Sequence, residues 1–420
     1  MLKASSLYIV IIISFIIALI CSSLIAAAYF YRLNYQKKFR SDKLQNNLES
    51  GINLLLSESE TPYRETEKVN LFNNDADSVI TGKLPWGVFD IGTVRAFIQQ
   101  DTLQKSFMIA KNIDSANWMA LYLIDEDRPL SVSGQTLIRG NVRIPKAGIR
   151  AAYVDGKAYK GDPKFVDGHI YNSEREIPAF GKQRLEQLNN AFSDTSRSSP
   201  FPIGDSLVKN SFFKPTLLLK TDGKSVIKNM EIKDNIVLYA DTTLYIDSTA
   251  RLDHIMIFAR SVVFGQGFKG NCQVFARDSV VVGKGSVFTY PSCIGLLPEP
   301  GRKTGISPKL SIGEATRFEG IVFYYEKEKP TIPTIISFGK KDKITGQIYV
   351  QGTVSLKDSV EISGSITCQK FLYQSNSSSY ENFLINTRIS AKALSPYYLT
   401  SDLLPVTGRK KKILLWLERN

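Results

Sequence analysis

The feature that most constrains this chain is a stretch without any charged side chain, from Ala4 to Tyr31. Its core reads LYIVIIISFIIALICSSLIAAAYFY. At about 1.5 Å per residue, a helix of this length exceeds the apolar core of a bilayer, which is about 30 Å thick. We therefore predict a transmembrane anchor over residues 1–31. A signal peptide cleaved near residues 26–28 is the alternative, but its apolar region would be longer than the usual range of about 7–15 residues.

The apolar pattern continues beyond this stretch at helical spacing. No proline occurs before Pro62, so nothing interrupts a helix in this part of the chain. We predict one continuous helix to about Leu56 and an amphipathic continuation over residues 32–60. The apolar residues that recur among Lys, Arg, Gln and Asn are Leu33, Phe39, Leu44, Leu48, Ile52 and Leu55.

The combination of small residues, a long apolar helix and an amphipathic continuation resembles the N-terminus of minor pilins and type II secretion pseudopilins. It is carried by the run KASSLYIVIIISFIIALICSSLIAAAYFYRLNYQKKFRSDKLQNNLESGINLLL. The chain departs from the family pattern in two ways. Ile9 stands where a glutamate is expected if cleavage followed Ala4, and no Lys-Gly or Arg-Gly processing site precedes the helix. The resemblance covers only about the first 56 residues.

A pilin-like helix implies packing against other helices within the membrane. Apolar side chains gain nothing by leaving lipid, so such packing depends on close contact at small residues. The small residues available for that contact are Ser22, Ser23, Ala26 and Ala27. The expected partners are membrane lipid and other helix-anchored envelope proteins, with further copies of the same chain as an alternative.

Positive charge is concentrated at the two ends of the chain. The formal net charge is +13, of which residues 1–43 carry +5 and residues 409–420 carry +4. The residues between them carry only +4, so nucleic-acid binding is not expected. Four of the basic residues that follow the apolar stretch are placed to contact acidic lipid headgroups. These are Arg32, Lys37, Lys38 and Arg40.

Two arguments predict opposite orientations for the anchor. Five basic residues follow the helix and one precedes it, so the positive-inside rule places the large domain in the cytoplasm. Pilin-like proteins have the opposite orientation, with the domain outside. We favour the second orientation and predict a single-pass protein of a bacterial inner membrane with a periplasmic domain.

After Pro62 the sequence changes from helical spacing to alternation. Short runs rich in aromatic and β-branched residues occupy 94–98, 106–110 and 118–124, and turn-prone residues bound them. They predict a small β-sheet region over residues 61–125. The overall expectation is a mainly β protein, with an N-terminal transmembrane helix, a small sheet and a parallel β-solenoid.

Two sets of internal repeats indicate the solenoid. GQTLIRGNVRI, which begins at Gly134, matches GQIYVQGTVSL, which begins at Gly346. Three further segments, NIVLYADTTLYI, HIMIFARSVVFG and NCQVFARDSVVV, align at Ala240, Ala259 and Ala276. Repeats of 17 to 19 residues made of short alternating strands are typical of a parallel β-solenoid, in which each coil buries its apolar side against its neighbours.

The repeats also divide the chain. We predict a first solenoid coil over 126–150, an excursion over 151–215 with a short helix near 181–192, the main solenoid over 216–375, and a C-terminal cap and basic tail over 376–420. Within the solenoid, Val274 and Val280 are expected to point into the core and Arg277 to lie on a charged corner. The tail sequence RKKKILLWL predicts a final packed strand, with an interfacial membrane contact as the alternative.

The stretch TGQIYVQGTVSLKDSVEISGSI also resembles bactofilins, which are polymer-forming β-helical proteins of the bacterial cytoskeleton. The resemblance rests on paired glycines and alternating Val and Ile. It covers only about thirty residues, so it supports the fold more than a function. It implies a membrane-tethered scaffold on the cytoplasmic side as an alternative function.

Signals for catalysis are weak. The chain has only two histidines, and it contains no nucleophile elbow, P-loop, dinucleotide fingerprint or zincin motif. Three aspartates spaced by six residues, Asp241, Asp247 and Asp253, could line a solenoid corner, bind calcium or act on polysaccharide. The simpler interpretation is that aspartate favours corners. We therefore expect a structural protein without cofactor or metal, and we keep a polysaccharide-active enzyme as the least favoured alternative.

Overall fold

A single helix, α1 (Lys3–Leu56), spans 54 residues and ends where the apolar spacing predicts. It is followed by strands that make the rest of the protein mainly β. The structure is a computed structural model that describes residues 3–57, 63–70, 77–114, 118–194, 196, 198–202, 204, 206–301, 307–328, 332–375, 378–405 and 407–419.

Four antiparallel strands follow α1 and pair in chain order. They are β1 (Arg64–Val69), β2 (Asp77–Trp86), β3 (Phe89–Ile98) and β4 (Asp101–Ile113). In the C-terminal half of β3, over residues 93–98, buried side chains alternate with less buried ones. This is expected for a strand whose two faces are covered by different layers. The predicted runs 94–98 and 106–110 lie in β3 and β4.

Nine short strands come next, up to the start of the second helix. They are β5 (Leu121–Leu123), β6 (Leu130–Ser133), β7 (Leu137–Arg139), β8 (Val142–Ile144), β9 (Ile149–Ala151), β10 (Tyr153–Val154), β11 (Lys157–Ala158), β12 (Val166–Asp167) and β13 (Ile170–Asn172). We predicted residues 118–124 in the small sheet, but β5 pairs with solenoid strands. The sheet and the solenoid therefore meet between β4 and β5.

The second helix, α2 (Lys182–Ala191), lies within the predicted excursion. Most of the solenoid follows it, and its long strands stack in parallel. Its strands are β14 (Ser199–Pro200), β15 (Leu207–Asn210), β16 (Leu217–Thr221), β17 (Ser225–Ile227), β18 (Glu231–Asp234), β19 (Ile236–Ile246), β20 (Arg251–Phe264), β21 (Lys269–Val282), β22 (Val287–Leu296), β23 (Lys309–Ile312), β24 (Arg317–Tyr324), β25 (Ile335–Phe338), β26 (Lys343–Leu356), β27 (Glu361–Gln374), β28 (Ser379–Glu381), β29 (Phe383–Ile385) and β30 (Arg388–Ser390).

The chain then returns to the small sheet. After a short 3-10 turn, Ala391–Ala393, strands β31 (Leu399–Thr400) and β32 (Thr407–Arg419) both pair antiparallel with β4. The tail is thus a sheet strand, as its sequence predicts. The solenoid is an insertion between the fourth strand of the small sheet and the two strands that complete it.

The coils do not stack in sequence order. The predicted first coil lies beyond the last C-terminal coil, because Leu121 of β5 pairs with Ile366 of β27 on one side and with Val142 of β8 on the other. Strands β12 and β13 then cover β7 and β8 at that end. At the opposite end, β14 and β15 cover β16 and β18. The predicted excursion 151–215 therefore contributes strands to both ends of the solenoid, and it crosses from one to the other through α2.

The repeat register is confirmed for one set and displaced for the other. Ala240 pairs with Ala259, and Ala259 pairs with Ala276, as the alignment predicts. The Gly134 and Gly346 repeats do not stack as the alignment predicts. Ile138 pairs with Ile389, Ile389 with Ile362, and Ile362 with Ile344, so Ile138 and Ile344 lie in one column. The residue that the alignment matches with Ile138 lies six residues further along the chain than Ile344. Each repeat carries two glycines six residues apart, so the motif matches itself when shifted by one side of the coil.

Three layers bury the core. The C-terminal part of α1 packs on one face of the small sheet, where Leu48, Val94 and Phe107 belong to one apolar cluster. The opposite face of the sheet carries Trp86 and Met108, which pack against α2 and one side of the solenoid. The solenoid interior is a separate column of Ile, Val, Leu and Phe, and the predicted Val274 and Val280 are both fully buried in it.

Candidate functional site

The N-terminal helix has two different environments along its length. Its side chains from residue 6 to residue 39 are exposed, while Leu44, Leu48, Ile52 and Leu55 are buried against the small sheet. The exposed part is long enough and apolar enough to cross a membrane, judged by length and composition, and none of its most apolar window is buried. It is the largest apolar surface that the described residues present, so it is the strongest candidate for a functional surface.

The junction between α1 and the sheet is close-packed. Gly51 lies against β2 and β3, where an added Cβ would approach methyl carbons of Val79 and Val94 to 2.7 Å. A larger residue at this position would force the helix away from the sheet. Below it, Arg40 forms an ion pair with Asp101 at the start of β4, with 3.5 Å between Nη1 and Oδ2. The exposed part of α1 is therefore a continuation of a helix that the sheet holds firmly.

The four predicted packing residues all lie on the exposed part of α1. Ala26 precedes Leu44 by 18 residues, which is about five full turns of helix. Ala26 therefore projects on the same side of α1 as Leu44, which packs against the sheet further along the helix. Ser22 and Ser23 lie within about 60° of it around the helix axis, and Ala27 is turned about 100° away. The Ser23 hydroxyl donates to the Ile20 carbonyl at 2.8 Å, which satisfies its polar group without another helix.

The four predicted headgroup residues separate into two kinds. Arg32, Lys37 and Lys38 are exposed and lie below the point where α1 meets the sheet. Arg40 is only partly exposed and is the residue that pairs with Asp101, so its charge is used within the fold. The structure thus leaves three of the four basic side chains available to a membrane surface or a partner.

A buried ionic cluster ties the small sheet, α2 and the C-terminal segment together. The Arg184 side chain on α2 is 3% exposed. Its Nη2 lies 2.6 Å from Asp90 Oδ1 on β3, its Nε lies 2.7 Å from Asp402 Oδ1 between β31 and β32, and its Nη1 donates to the Phe89 carbonyl at 2.9 Å. Lys83 adds a second cation 3.3 Å from Asp90. Because its members come from the sheet, α2 and the C-terminal segment, the cluster forms only when all of them dock.

The electrostatics of this cluster follow from burial and pairing. Burial alone would raise the pKa of Asp402, but the facing Arg184 guanidinium and its hydrogen bonds outweigh burial and lower that pKa. Burial opposes the charged form of Arg184, yet Asp90 and Asp402 raise its pKa above the ordinary value. Burial also raises the pKa of Tyr63, whose hydroxyl donates to Asp90, to about 12. Asp402 and Arg184 are therefore both charged at neutral pH.

A second junction joins α2 to the solenoid at Arg277. Its guanidinium carbon lies 3.8 Å from the centre of the Phe192 ring, and Nη1 donates to Asn189 Oδ1 and to the Leu297 carbonyl, each at 2.8 Å. Burial lowers the pKa of Arg277. We predicted a free charged corner here, and the structure shows instead a side chain that fixes α2, because the excursion folds back over this corner.

A single glutamine joins the solenoid to the turn between β2 and β3. Gln273 on β21 accepts from the Val88 N–H through Oε1 at 2.8 Å and donates through Nε2 to the Trp86 carbonyl at 3.0 Å. Both turn groups are buried, and the amide satisfies both of them. No sequence pattern marks Gln273, because its role depends on a turn nearly two hundred residues away.

The three spaced aspartates do not converge on a common ligand. Asp241 pairs with Lys220 at 2.6 Å, Asp247 accepts from the backbone and hydroxyl of Thr249, and Asp253 lies 2.9 Å from the His254 ring nitrogen Nδ1. Each carboxylate is thus used locally, as expected for corner aspartates. Within the described ranges, no group of three or more His, Cys, Asp or Glu residues is placed to hold a metal ion.

No family model matches the chain, bactofilins included, and no curated protein matches it. An ice binding protein from an Antarctic biological consortium is 10% identical, with a TM-score of 0.22, over 67% of this chain and 90% of that one. The competence-associated pilin ComZ from Thermus thermophilus is 10% identical, with a TM-score of 0.25, over 90% of this chain and 97% of that one. TM-scores this low do not establish a common fold.

The fold combines two features. The chain has an N-terminal helix with an exposed apolar half and an amphipathic half that is held on a small antiparallel sheet. A parallel solenoid is inserted into that sheet and docked on its far face.

Proposed function

We propose that this protein is a membrane-anchored, pilin-like structural subunit of a bacterial envelope assembly and not an enzyme. The exposed half of α1 anchors it in the inner membrane and packs against helices of neighbouring subunits. The small sheet and the solenoid form one rigid periplasmic head on that helix. The solenoid then serves as a spacer or a recognition face.

The observation that carries this proposal is the continuity of α1. The same helix that is uncharged from Ala4 to Tyr31 and exposed over residues 6–39 becomes part of the protein core at Leu48, which is fully buried. A flexible tether would not need a helix that is built into the sheet through Gly51 and Arg40. Such a connection transmits the orientation of the helix in the membrane to the head.

The length of the uncharged stretch matches the full thickness of a bilayer, headgroups included. Its 28 residues span about 42 Å as a helix, and about 39 Å along the membrane normal at the average tilt of about 20°. The apolar core of the bilayer is about 30 Å thick, and each headgroup layer adds about 5–7 Å. Tyr31 then lies near the outer limit of the headgroups, where Arg32 is placed to contact them. Lys37 and Lys38 lie higher by about 8–10 Å.

The proposal is tested by thickening the small-residue face of α1. Replacing Ser22, Ser23, Ala26 and Ala27 together with leucine keeps insertion favourable, because leucine is readily accepted by the bilayer. It removes the close approach on which helix association in lipid depends. We expect the variant to remain in membranes through an alkaline carbonate wash while its in-cell crosslinks to other proteins disappear.

A matched control changes the same number of residues without changing their volume, by converting Ile9, Ile12, Ile13 and Ile16 to leucine. The control should retain both membrane association and crosslinks. Crosslinks that persist in the first variant would reduce α1 to a simple anchor and refute the packing proposal. Recovery of the unmodified chain in the carbonate supernatant would refute the anchor itself.

A further inference from the structure

One corner of the solenoid turns in the same way in coil after coil. A residue with positive φ makes the turn, and the residue after it is buried. The turning residues are Gly267, Gly285, Ala315, Lys341 and Ser359. The buried residues that follow them are Phe268, Ser286, Thr316, Asp342 and Val360. Asp342 is the one ionisable side chain among these five, and it is 0% exposed.

The Asp342 carboxylate joins two successive coils. Its Oδ1 accepts the Thr316 N–H of the preceding coil at 2.9 Å, and its Oδ2 accepts the Gly339 N–H of its own corner at 2.6 Å. Ser286 and Thr316 fill the equivalent place differently, because each hydroxyl donates to the carbonyl three residues earlier, at 2.7 Å and 2.6 Å. A neutral donor at this place therefore bonds within one corner, whereas the carboxylate bonds across two.

The carboxylate has no cation that balances its charge. Its polar contacts in the described part of the chain are the two N–H groups, and Glu314 on the preceding corner adds a like charge nearby. Asp358 on the following corner has its own partner, Lys157, at 2.6 Å. The charged side chains on the three stacked corners are otherwise at least partly exposed and belong to Glu314, Lys340, Lys341, Lys357 and Asp358.

Two opposing effects then set the protonation of Asp342. Burial without a cation disfavours the ionised form, while the two N–H bonds favour it. Burial is the larger effect, and it raises the pKa of Asp342 to about 7, whereas an exposed aspartate has a pKa of about 3.9. Asp402 shows the opposite outcome, because a guanidinium faces it and lowers its pKa.

We propose that Asp342 is a proton-sensitive clip between two coils of the solenoid, protonated in the folded head at mildly acidic pH and ionised at alkaline pH. Ionisation leaves an unbalanced charge inside the corner, so the solenoid loses stability as pH rises. The inference does not depend on what α1 binds. Under the proposed function the head lies outside the cytoplasm, where the clip responds to the pH of that compartment.

The sign of the effect follows from the two states of the chain. Asp342 ionises near pH 4 in the unfolded chain and near pH 7 in the folded head. Its contribution to folding stability therefore falls as pH rises from about 4 to about 7 and is constant above that range. Each pH unit within the range changes the unfolding constant about tenfold, since one proton is involved.

The experiment compares urea unfolding of the full-length, detergent-solubilised protein with that of Asp342→Ser, from about pH 5 to about pH 8. Serine supplies the hydroxyl that Ser286 has at the equivalent place, and both histidines are common to the two proteins. The ratio of the two unfolding constants should change about a hundredfold over this range. The matched control is Asp358→Asn, one coil further on, which should keep the pH dependence of the native protein.

Infrared spectra provide a readout that does not depend on stability. The native protein and Asp358→Asn should show the C=O band of a protonated carboxyl group at about pH 5, and this band should disappear with a midpoint near pH 7. Asp342→Ser should lack the band. If the serine variant does not fold, Asp342→Asn replaces it in both measurements.

Two results would overturn the inference. One is the same pH dependence of unfolding in the native protein and in the Asp342 variant. The other is a native spectrum without a carboxyl band that titrates near neutral pH, whatever the variants show. Neither result bears on the crosslinks of the small-residue face, so the proposed function stands or fails separately.

Discussion

Replacement of Arg184 by methionine tests how α2 is joined to the small sheet and the C-terminal segment. Methionine preserves much of the apolar volume of the arginine side chain but leaves two carboxylates without their shared cation. Removing one member of a buried ion pair costs about 3–5 kcal/mol, because the remaining charge stays buried. Asp90 retains Lys83 at 3.3 Å and the Asp402 side chain is 27% exposed, so we expect the lower limit, about 3 kcal/mol.

The measurement is urea unfolding of the detergent-solubilised protein, followed by tryptophan fluorescence, since Trp86 lies in the affected layer. The matched control is Arg175→Met, which removes an ion pair to Asp127 whose side chains are 76% and 73% exposed. Exposed pairs contribute about 0–1 kcal/mol, so the control should change little. Equal midpoints for the two variants would show that the Arg184 cluster does not hold the layers together.

The same comparison has a predicted pH dependence. The folded state lowers the pKa of Asp402, so its contribution is present above the unfolded-state pKa of about 3.9 and is lost as pH falls through the folded value. The stability difference between the native protein and Arg184→Met should therefore be full near pH 7 and shrink below about pH 4. A difference that grows on acidification would contradict the assignment.

Two further predictions concern the solenoid, and both are measured by the same urea unfolding. Val274→Asp should destabilise by more than about 3 kcal/mol, because it buries an unpaired charge, while Arg277→Ser should cost about 1–2 kcal/mol through the lost bonds to Asn189 and Leu297. Gly346→Ala should cost well over about 2 kcal/mol, since φ is +136° and an added Cβ would overlap the Gly320 carbonyl oxygen. The control Gly148→Ala, where φ is +78° and an added Cβ meets open space, should cost about 1 kcal/mol.

Local sequence patterns predicted the elements whose stability depends on nearby residues. The extent of the helix to Leu56 was predictable because apolar spacing and the absence of proline are local signals, each readable within a few turns. Ala240, Ala259 and Ala276 align because adjacent coils of 17 to 19 residues stack directly. The burial of Val274 follows from simple alternation along its strand.

The rest depends on pairing between distant segments, which short patterns do not encode. Nothing local in β5 specifies that Leu121 pairs with Ile366, so the stacking order could not be predicted. The buried cluster was missed for the same reason, because Arg184, Asp90 and Asp402 meet only after α2 and β32 dock. Their isolated occurrence in the sequence is indistinguishable from that of ordinary surface charges.

Under the proposed function, a membrane-spanning α1 holds the solenoid on the periplasmic side. Tyr397 is 87% exposed, so Tyr397→Cys in a Cys21→Ser background provides one accessible thiol on the head. A membrane-impermeant maleimide applied to intact spheroplasts should label this variant as fully as it labels lysed cells, while Cys21→Ser alone stays unlabelled. Labelling that appears only after lysis would place the solenoid in the cytoplasm and contradict the account.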